Sequence, residues 1–199
     1  MPRFESLPIR LVLVAVGAWL AGAPAAYGQT FIPAPNQGFS ADLDTMEGSY
    51  SVWIKRDLGS LSALHATIEV ARLGKGGRWV PAFGFWVLTG DGKGRKFGVQ
   101  VIAEAWASPM PAYTSLEGKP QTNLHVRQKI ALGQKTDLDM DWGTPGKLLY
   151  RFGDANWEEV PLPSEVRGIE ISASSGELDL QSVVLGSFSH PDSEAKPNR

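Results

Sequence analysis

Apolar and polar residues alternate at every second position through most of the chain after residue 48. That period sends successive side chains to opposite faces of an extended strand. GSYSVWIKRDL sets Tyr50, Val52 and Ile54 against Ser51, Trp53 and Lys55, and the pattern predicts that the apolar trio faces the core. HATIEVARL sets Ala66, Ile68 and Val70 against Thr67, Glu69 and Ala71. KFGVQVIAEAW sets Val99, Val101, Ala103 and Ala105 against Gln100, Ile102, Glu104 and Trp106. AFGFWVLT is almost continuously apolar, which predicts a central strand covered on both sides. Gly, Pro, Asn and Asp punctuate the runs roughly every 8–12 residues, as in all-β domains. The segment 108–122, with three prolines, predicts a long loop. NLHVRQKIALGQKTDLDMDW predicts a hairpin turning at Gly133. No segment carries a convincing helical period. About ten strands of this kind hide their edges in a two-sheet antiparallel β-sandwich, since a closed barrel would space its hairpins more evenly.

The chain ends follow other rules. Residues 1–28 carry Arg3 and Arg10, an apolar run from Leu11 to Leu20, and Ala26-Tyr27-Gly28 before Gln29. That is the pattern of a cleaved signal peptide. The continuous apolar stretch ends at Ala23, short of the roughly 20 residues of a membrane span. The expectation is export to the periplasm or beyond, with no transmembrane segment after cleavage. Residues 29–47 form a Pro-rich leader, irregular over TFIPAPNQG, and a first edge strand; 48–189 form the sandwich. The polar 190–199, HPDSEAKPNR, is expected to be a disordered tail.

Composition narrows the chemistry. The 199 residues suit one domain, and 43% hydrophobic with 20% charged residues excludes a wholly disordered chain. A net charge of −2 gives no reason to expect nucleic acid as a partner. The absence of cysteine excludes disulfides, thiolate metal sites and cysteine nucleophiles.

The dense acidic row is Asp137-x-Asp139-x-Asp141. On a strand these carboxylates share a face at ~6.5–7 Å intervals. They could supply an acid and a base for glycoside hydrolysis, ligate Ca²⁺, or form a charged face held by cross-strand pairs. A turn centred on Gly133 pairs His125 with Asp141, Arg127 with Asp139 and Lys129 with Asp137, which predicts an exposed charge ladder worth no more than ~1 kcal/mol at Asp139. His65, His125 and His190 lack metal-ligand spacing and are read as structural. The glycine clusters at 74–77 and 90–94 are hairpin turns, not phosphate loops. Trp53 beside Ser51 and Lys55, and Trp106 beside Gln100 and Glu104, are aromatics among polar neighbours, an arrangement that can stack on a sugar ring while polar groups bond its hydroxyls. Trp86 and Trp142 are expected in the core, and Trp79 and Trp157 beside turns.

The last third, KIALGQKTDLDMDWGTPGKLLYRFGDANWEEVPLPSEVRGIEISASSGELDLQSVVLG, resembles the C-terminal half of a concanavalin A-like lectin/glucanase domain. The carriers are a polar-alternating strand before a Gly turn, a short strand ending at Gly153-Asp154, a strand closing in ISASSG, and a final strand returning to the opening edge. The glucanase-type E-x-D-x-x-E is absent: Glu177-Leu178-Asp179 begins it, but Ser182 stands where its second Glu belongs. The resemblance implies a jelly roll of two curved sheets and glycans as ligands. The expected role is an exported, non-catalytic carbohydrate-binding sandwich for poly- or oligosaccharide. Trp53, Gln100, Glu104, Trp106, Arg127 and Asp139 would contact the sugar, without cofactor or resident metal unless Ca²⁺ sits on the acidic row. Two alternatives stay open. One is a glycoside hydrolase or polysaccharide lyase using Glu104 or Asp137, Asp139 and Asp141. The other is a periplasmic interaction module with no sugar ligand.

Overall fold

The computed structural model describes residues 30–75, 80–90, 95–103, 109–121 and 128–189, and every regular element among them is a strand. In chain order these are β1 (Thr30–Asp44), β2 (Tyr50–Arg56), β3 (Ala63–Leu73), β4 (Ala82–Thr89), β5 (Arg95–Ile102) and β6 (Met110–Leu116). There follow β7 (Lys119–Pro120), β8 (Gln128–Ile130), β9 (Lys135–Asp141), β10 (Lys147–Phe152), β11 (Glu158–Pro161), β12 (Val166–Ser174) and β13 (Gly176–Ser189). They form two antiparallel sheets, a β-sandwich. A six-stranded sheet runs β1-β13-β3-β9-β10-β11, and a seven-stranded sheet runs β2-β12-β4-β5-β6-β7 with β8 also paired to β6.

The alternation in the sequence is the reason the sheets pack. Leu64, Ile68, Leu138 and Leu178 from the six-stranded sheet meet Phe83, Phe85, Val99 and Ile171 from the other in one cluster closed to solvent. Each such side chain contributes roughly 1.5–3 kcal/mol by leaving water. Ala66, Ile68 and Val70 face this core from β3, and Val99 and Val101 from β5, as their spacing predicts. The apolar β4 lies between β12 and β5 and is buried from Phe83 to Thr89.

Four expectations are corrected. TFIPAPNQG is not irregular: it belongs to β1, which pairs along β13 from Thr30↔Ser189 to Asp44↔Glu177. Its register shifts between Pro33 and Gly38, an irregularity an edge strand tolerates because proline there withholds no ladder hydrogen bond. The segment 108–122 holds β6 and β7, and its Pro111 and Pro120 sit near strand ends. The hairpin 123–142 does not form. Gly133 does turn, with φ of 70°, but it carries the chain from one sheet to the other. β8 pairs β6, while both sides of β9 are taken by β3 and β10. The proposed Lys129–Asp137 pair is therefore split between the two sheets. Finally, β2 is turned over. Tyr50, Val52 and Ile54 are exposed, and Trp53 packs on the core, stacked on Phe39 at 4.2 Å between ring centroids. The indole has the larger apolar surface to bury, so it decides the face.

Candidate functional site

Each sheet has an outer face, formed by the residues that alternate with the core positions. On the six-stranded sheet, Asp137, Asp139 and Asp141 do share that face, since Leu138 and Met140 between them point into the core. Each carboxylate has a partner within the fold. Thr67 Oγ1 donates to Asp137 at 2.8 Å, and Gly143 N donates to Asp141 at 2.9 Å. Asp139 accepts from Arg151 Nε at 2.8 Å, and its second oxygen lies 2.7 Å from His65 Nδ1. Register sets this up, because Asp139 lies between His65 on β3 and Arg151 on β10. Asp139 is therefore buried and joined to Arg151 and His65, not exposed, and Arg127, the partner predicted for it, lies outside the described residues. The Arg151 guanidinium stacks on Trp157 at 4.6 Å, and Trp157 and Phe31 both pack on Phe188. Trp157 thus staples the turn before β11 to the sheet.

The electrostatics follow from these contacts. The hydrogen bond to Asp139 raises the His65 pKa above 6.5, more than burial lowers it. Burial pushes the Asp139 carboxyl up, but the hydrogen bonds and charges of His65 and Arg151 together outweigh it and hold the group below 3.8. Among the described residues, no three His, Asp or Glu side chains gather closely enough to hold a metal ion. The row tethers three strands.

The outer face of the seven-stranded sheet is different. Register places Ile54, Glu170, Trp86, Gly98 and Ser115 in one row across it, and Val52, Ser172, Gly84, Gln100 and Tyr113 in the next. Glu170 is buried between Ile169 and Ile171, which face the core. Lys96 Nζ donates to Glu170 Oε1 at 2.5 Å, and the Tyr50 hydroxyl donates to the same oxygen at 3.1 Å. Burial raises the Tyr50 pKa above 10, so the phenol stays a donor. The Tyr50 residue nevertheless remains 56% exposed.

Beside this group lies Trp86. It is buried, as expected, but on the outer face and apart from the core between the sheets. A Cβ on Gly84 would stand 1.7 Å from its indole, so the ring lies across Gly84, and Lys96 Nζ sits 5.1 Å from its centroid. Trp86 Nε1, Gln100 Oε1 and Ser115 Oγ are buried and make no hydrogen bond to any described group. A donor, an acceptor and a hydroxyl thus stand on neighbouring strands without a hydrogen bond among the described residues.

Of the sugar contacts read from the sequence, Gln100 lies on this face, Trp53 faces the core, and Asp139 is on the opposite sheet. Glu104, Trp106 and Arg127 fall outside the described residues. Tyr50, Trp86, Lys96 and Glu170 were missed. Glu170 had a signal: a lone carboxylate in the otherwise apolar GIEISAS, where burial demands a partner.

Neither a protein-family model nor a curated relative matches the chain. Solved structures do. The legume lectin-like domain from Entamoeba histolytica is similar with a TM-score of 0.48 and 11% identity, over 81% of this chain and 88% of that one. The Bacillus licheniformis beta-glucanase is similar with a TM-score of 0.45 and 11% identity, over 75% and 78%. The carbohydrate recognition domain of Emp47p has a TM-score of 0.44 and 11% identity, over 84% and 91%. These neighbours belong to the concanavalin A-like class that the last third of the sequence resembles, and the likeness lends nothing to the choice of ligand or activity.

Proposed function

We propose that this chain is an exported, non-catalytic carbohydrate-binding module that holds a poly- or oligosaccharide on the outer face of its seven-stranded sheet. The observation that carries the reading is the Tyr50–Glu170–Lys96 group: an exposed ring fixed at its hydroxyl by a buried carboxylate and a half-buried ammonium. A ring held in one orientation stacks on a sugar at little entropic cost, and the adjoining polar groups bond its hydroxyls. Trp86 Nε1, Gln100 Oε1 and Ser115 Oγ support it, because they put on this face polar groups that make no hydrogen bond among the described residues. Among the described residues, Glu170 is the carboxylate on this face, and its bond to Lys96 favours binding over acid–base catalysis. Export rests on the Leu11–Leu20 run and the small residues before Gln29.

The test is gel retardation of the mature protein across a panel of soluble polysaccharides. Retardation by at least one is expected, weakened about tenfold in Tyr50→Ala, which corresponds to the upper range for an aromatic contact. No retardation by any member rejects the module. Release of reducing ends or unsaturated uronates rejects its non-catalytic part. Mass spectrometry of exported protein still carrying residues 11–20 would reject signal cleavage.

A further inference from the structure

The two outer faces carry opposite charge, and this names the kind of glycan. The inference rests on the carbohydrate-binding reading of the seven-stranded sheet. Among the described residues that alternate with its core positions, Arg56 on β2, Lys96 on β5 and Lys129 on β8 stand against the single carboxylate Glu170. Glu170 is neutralised by Lys96. Arg56 and Lys129 are exposed and have no ion-pair partner among the described residues. The face is therefore net positive on a chain whose net charge is −2.

The six-stranded sheet is the reverse. Asp42↔Asp179 and Asp44↔Glu177 oppose like charges across β1 and β13, and Asp179 also lies opposite Glu69 on β3. Arg72 bonds Asp44 and Glu177 but does not balance the row. Burial and the neighbouring Glu177, Asp44 and Asp179 charges raise the pKa of Asp42.

The positive charges are also spread out. Arg56 and Lys96 share one row, Arg56↔Gly168↔Leu88↔Lys96, three strand spacings or roughly 14 Å apart. Lys129 is on β8, at the far side of the sheet from β2. Cations this far apart cannot converge on one small anion, but they can each meet a different residue of an extended polymer. The opposite face repels the same polymer, so the field steers it to the ring of Tyr50.

We infer that the ligand is an anionic polysaccharide, a chain bearing carboxylate or sulfate groups, held across the positive face with Arg56 and Lys129 as its outlying contacts. The experiment uses the mature protein with polygalacturonate, dextran sulfate, neutral dextran, neutral mixed-linkage glucan and single-stranded DNA. Affinities are measured by titration at about 0.01 M and about 0.15 M salt, between which the screening length falls from roughly 30 Å to about 8 Å. At the lower salt, polygalacturonate should bind at least about tenfold tighter than either neutral glycan, and the higher salt should erase most of that gain. The Arg56→Gln/Lys129→Gln double variant should lose about tenfold on the anionic glycans and nothing on the neutral ones, while Lys135→Gln on the opposite face changes neither. Dextran sulfate binding as tightly as polygalacturonate supports recognition of charge; weaker binding supports recognition of the carboxylate. Equal, salt-independent affinity for neutral and anionic glycans overturns the inference and leaves the module intact. Binding of no glycan at all overturns the module itself. Tighter binding of single-stranded DNA than of either anionic glycan overturns the inference in favour of a nucleic acid.

Discussion

The two outer faces of this sandwich are both polar, and they use their polarity differently. On the six-stranded sheet each carboxylate of the acidic row takes a partner from the fold: Asp139 takes both Arg151 and His65, Asp137 takes Thr67, and Asp141 takes the Gly143 amide on one oxygen. On the outer face of the seven-stranded sheet, Arg56 and Lys129 are exposed, and Trp86 Nε1, Gln100 Oε1 and Ser115 Oγ make no hydrogen bond among the described residues. A polar strand face is thus no sign of a ligand by itself. The informative quantity is how much hydrogen-bonding and charge remains after the fold has used what it needs. By that measure the acidic row, the most conspicuous chemistry in the sequence, is taken up by the fold, and the less conspicuous opposite face is the one proposed for binding.

The largest effect that would break this contrast is at Asp139. Asp139→Ala leaves Arg151 buried without its carboxylate and should destabilise the fold by about 3–5 kcal/mol, read as a shift in urea midpoint at unchanged slope. A loss below about 1 kcal/mol would return the row to the solvent-exposed ladder predicted from the sequence. Next comes Gly98, whose added Cβ would stand 2.1 Å from the Phe85 carbonyl oxygen. Backbone cannot easily yield there, so Gly98→Ala should cost about 2–3 kcal/mol. Gly84→Ala meets the Trp86 indole instead and should cost less while red-shifting tryptophan emission as the ring is pushed outward. An unchanged spectrum would mean that the ring does not lie over Gly84.

A smaller effect separates the faces by pH. The folded His65 pKa is raised above 6.5, so its bond to Asp139 contributes fully below that value and fades as pH rises through the folded pKa. Asp139 is lowered below 3.8, so its contribution is present above that value and lost as pH falls through the folded pKa. Asp137 reinforces the His65 proton. The triad should therefore be strongest between about pH 4 and 6.5. Melting temperature should decline from mildly acidic to alkaline pH in the wild type, and His65→Gln should flatten that decline. Equal slopes in the two proteins would remove His65 from the account. The smallest effect on stability is Tyr50→Ala. It takes one hydrogen-bond donor from buried Glu170, which keeps Lys96, and should cost about 1 kcal/mol in the fold even as binding weakens. A large loss of stability would make Tyr50 a packing residue.

Much of the fold was legible because period-2 alternation over β3, β5 and β12 is a direct record of which side chains leave water. What alternation cannot record is the partner of each strand. β8 and β9 are adjacent in sequence and joined by a turn at Gly133, yet the core is closed by sending them to different sheets. That choice depends on β3 and β10 competing for β9, which no local pattern expresses. The inversion of β2 has the same origin. Both of its faces carry apolar residues, and the outcome is settled by Phe39, which lies on β1 just after the stretch the sequence presented as irregular. The site suffered accordingly. The sequence offers Trp53 to a sugar on the premise that Tyr50 is core, and the structure exchanges the two faces. Gln100 lies on the outer face of β5 as the alternation predicts, because Val99 and Val101 leave no ambiguity about its side.

The pairing of β1 with β13 has a consequence for how the chain is made. Thr30 and Ser189 are partners across 159 residues, and β13 is also what separates β1 from β3 in the six-stranded sheet. During synthesis the first strand therefore waits for the last, and β3 has one open edge until the same moment. A closure this distant in sequence is slow, because the intervening loop must be ordered before the pairing contributes anything. The nascent chain thus stays incompletely zipped, with strand edges of β1 and β3 open to other chains, until β13 has emerged. A chain cut short before Gly176 should carry those edges permanently and aggregate, whereas one lacking only the residues beyond Ser189 should close as the full chain does.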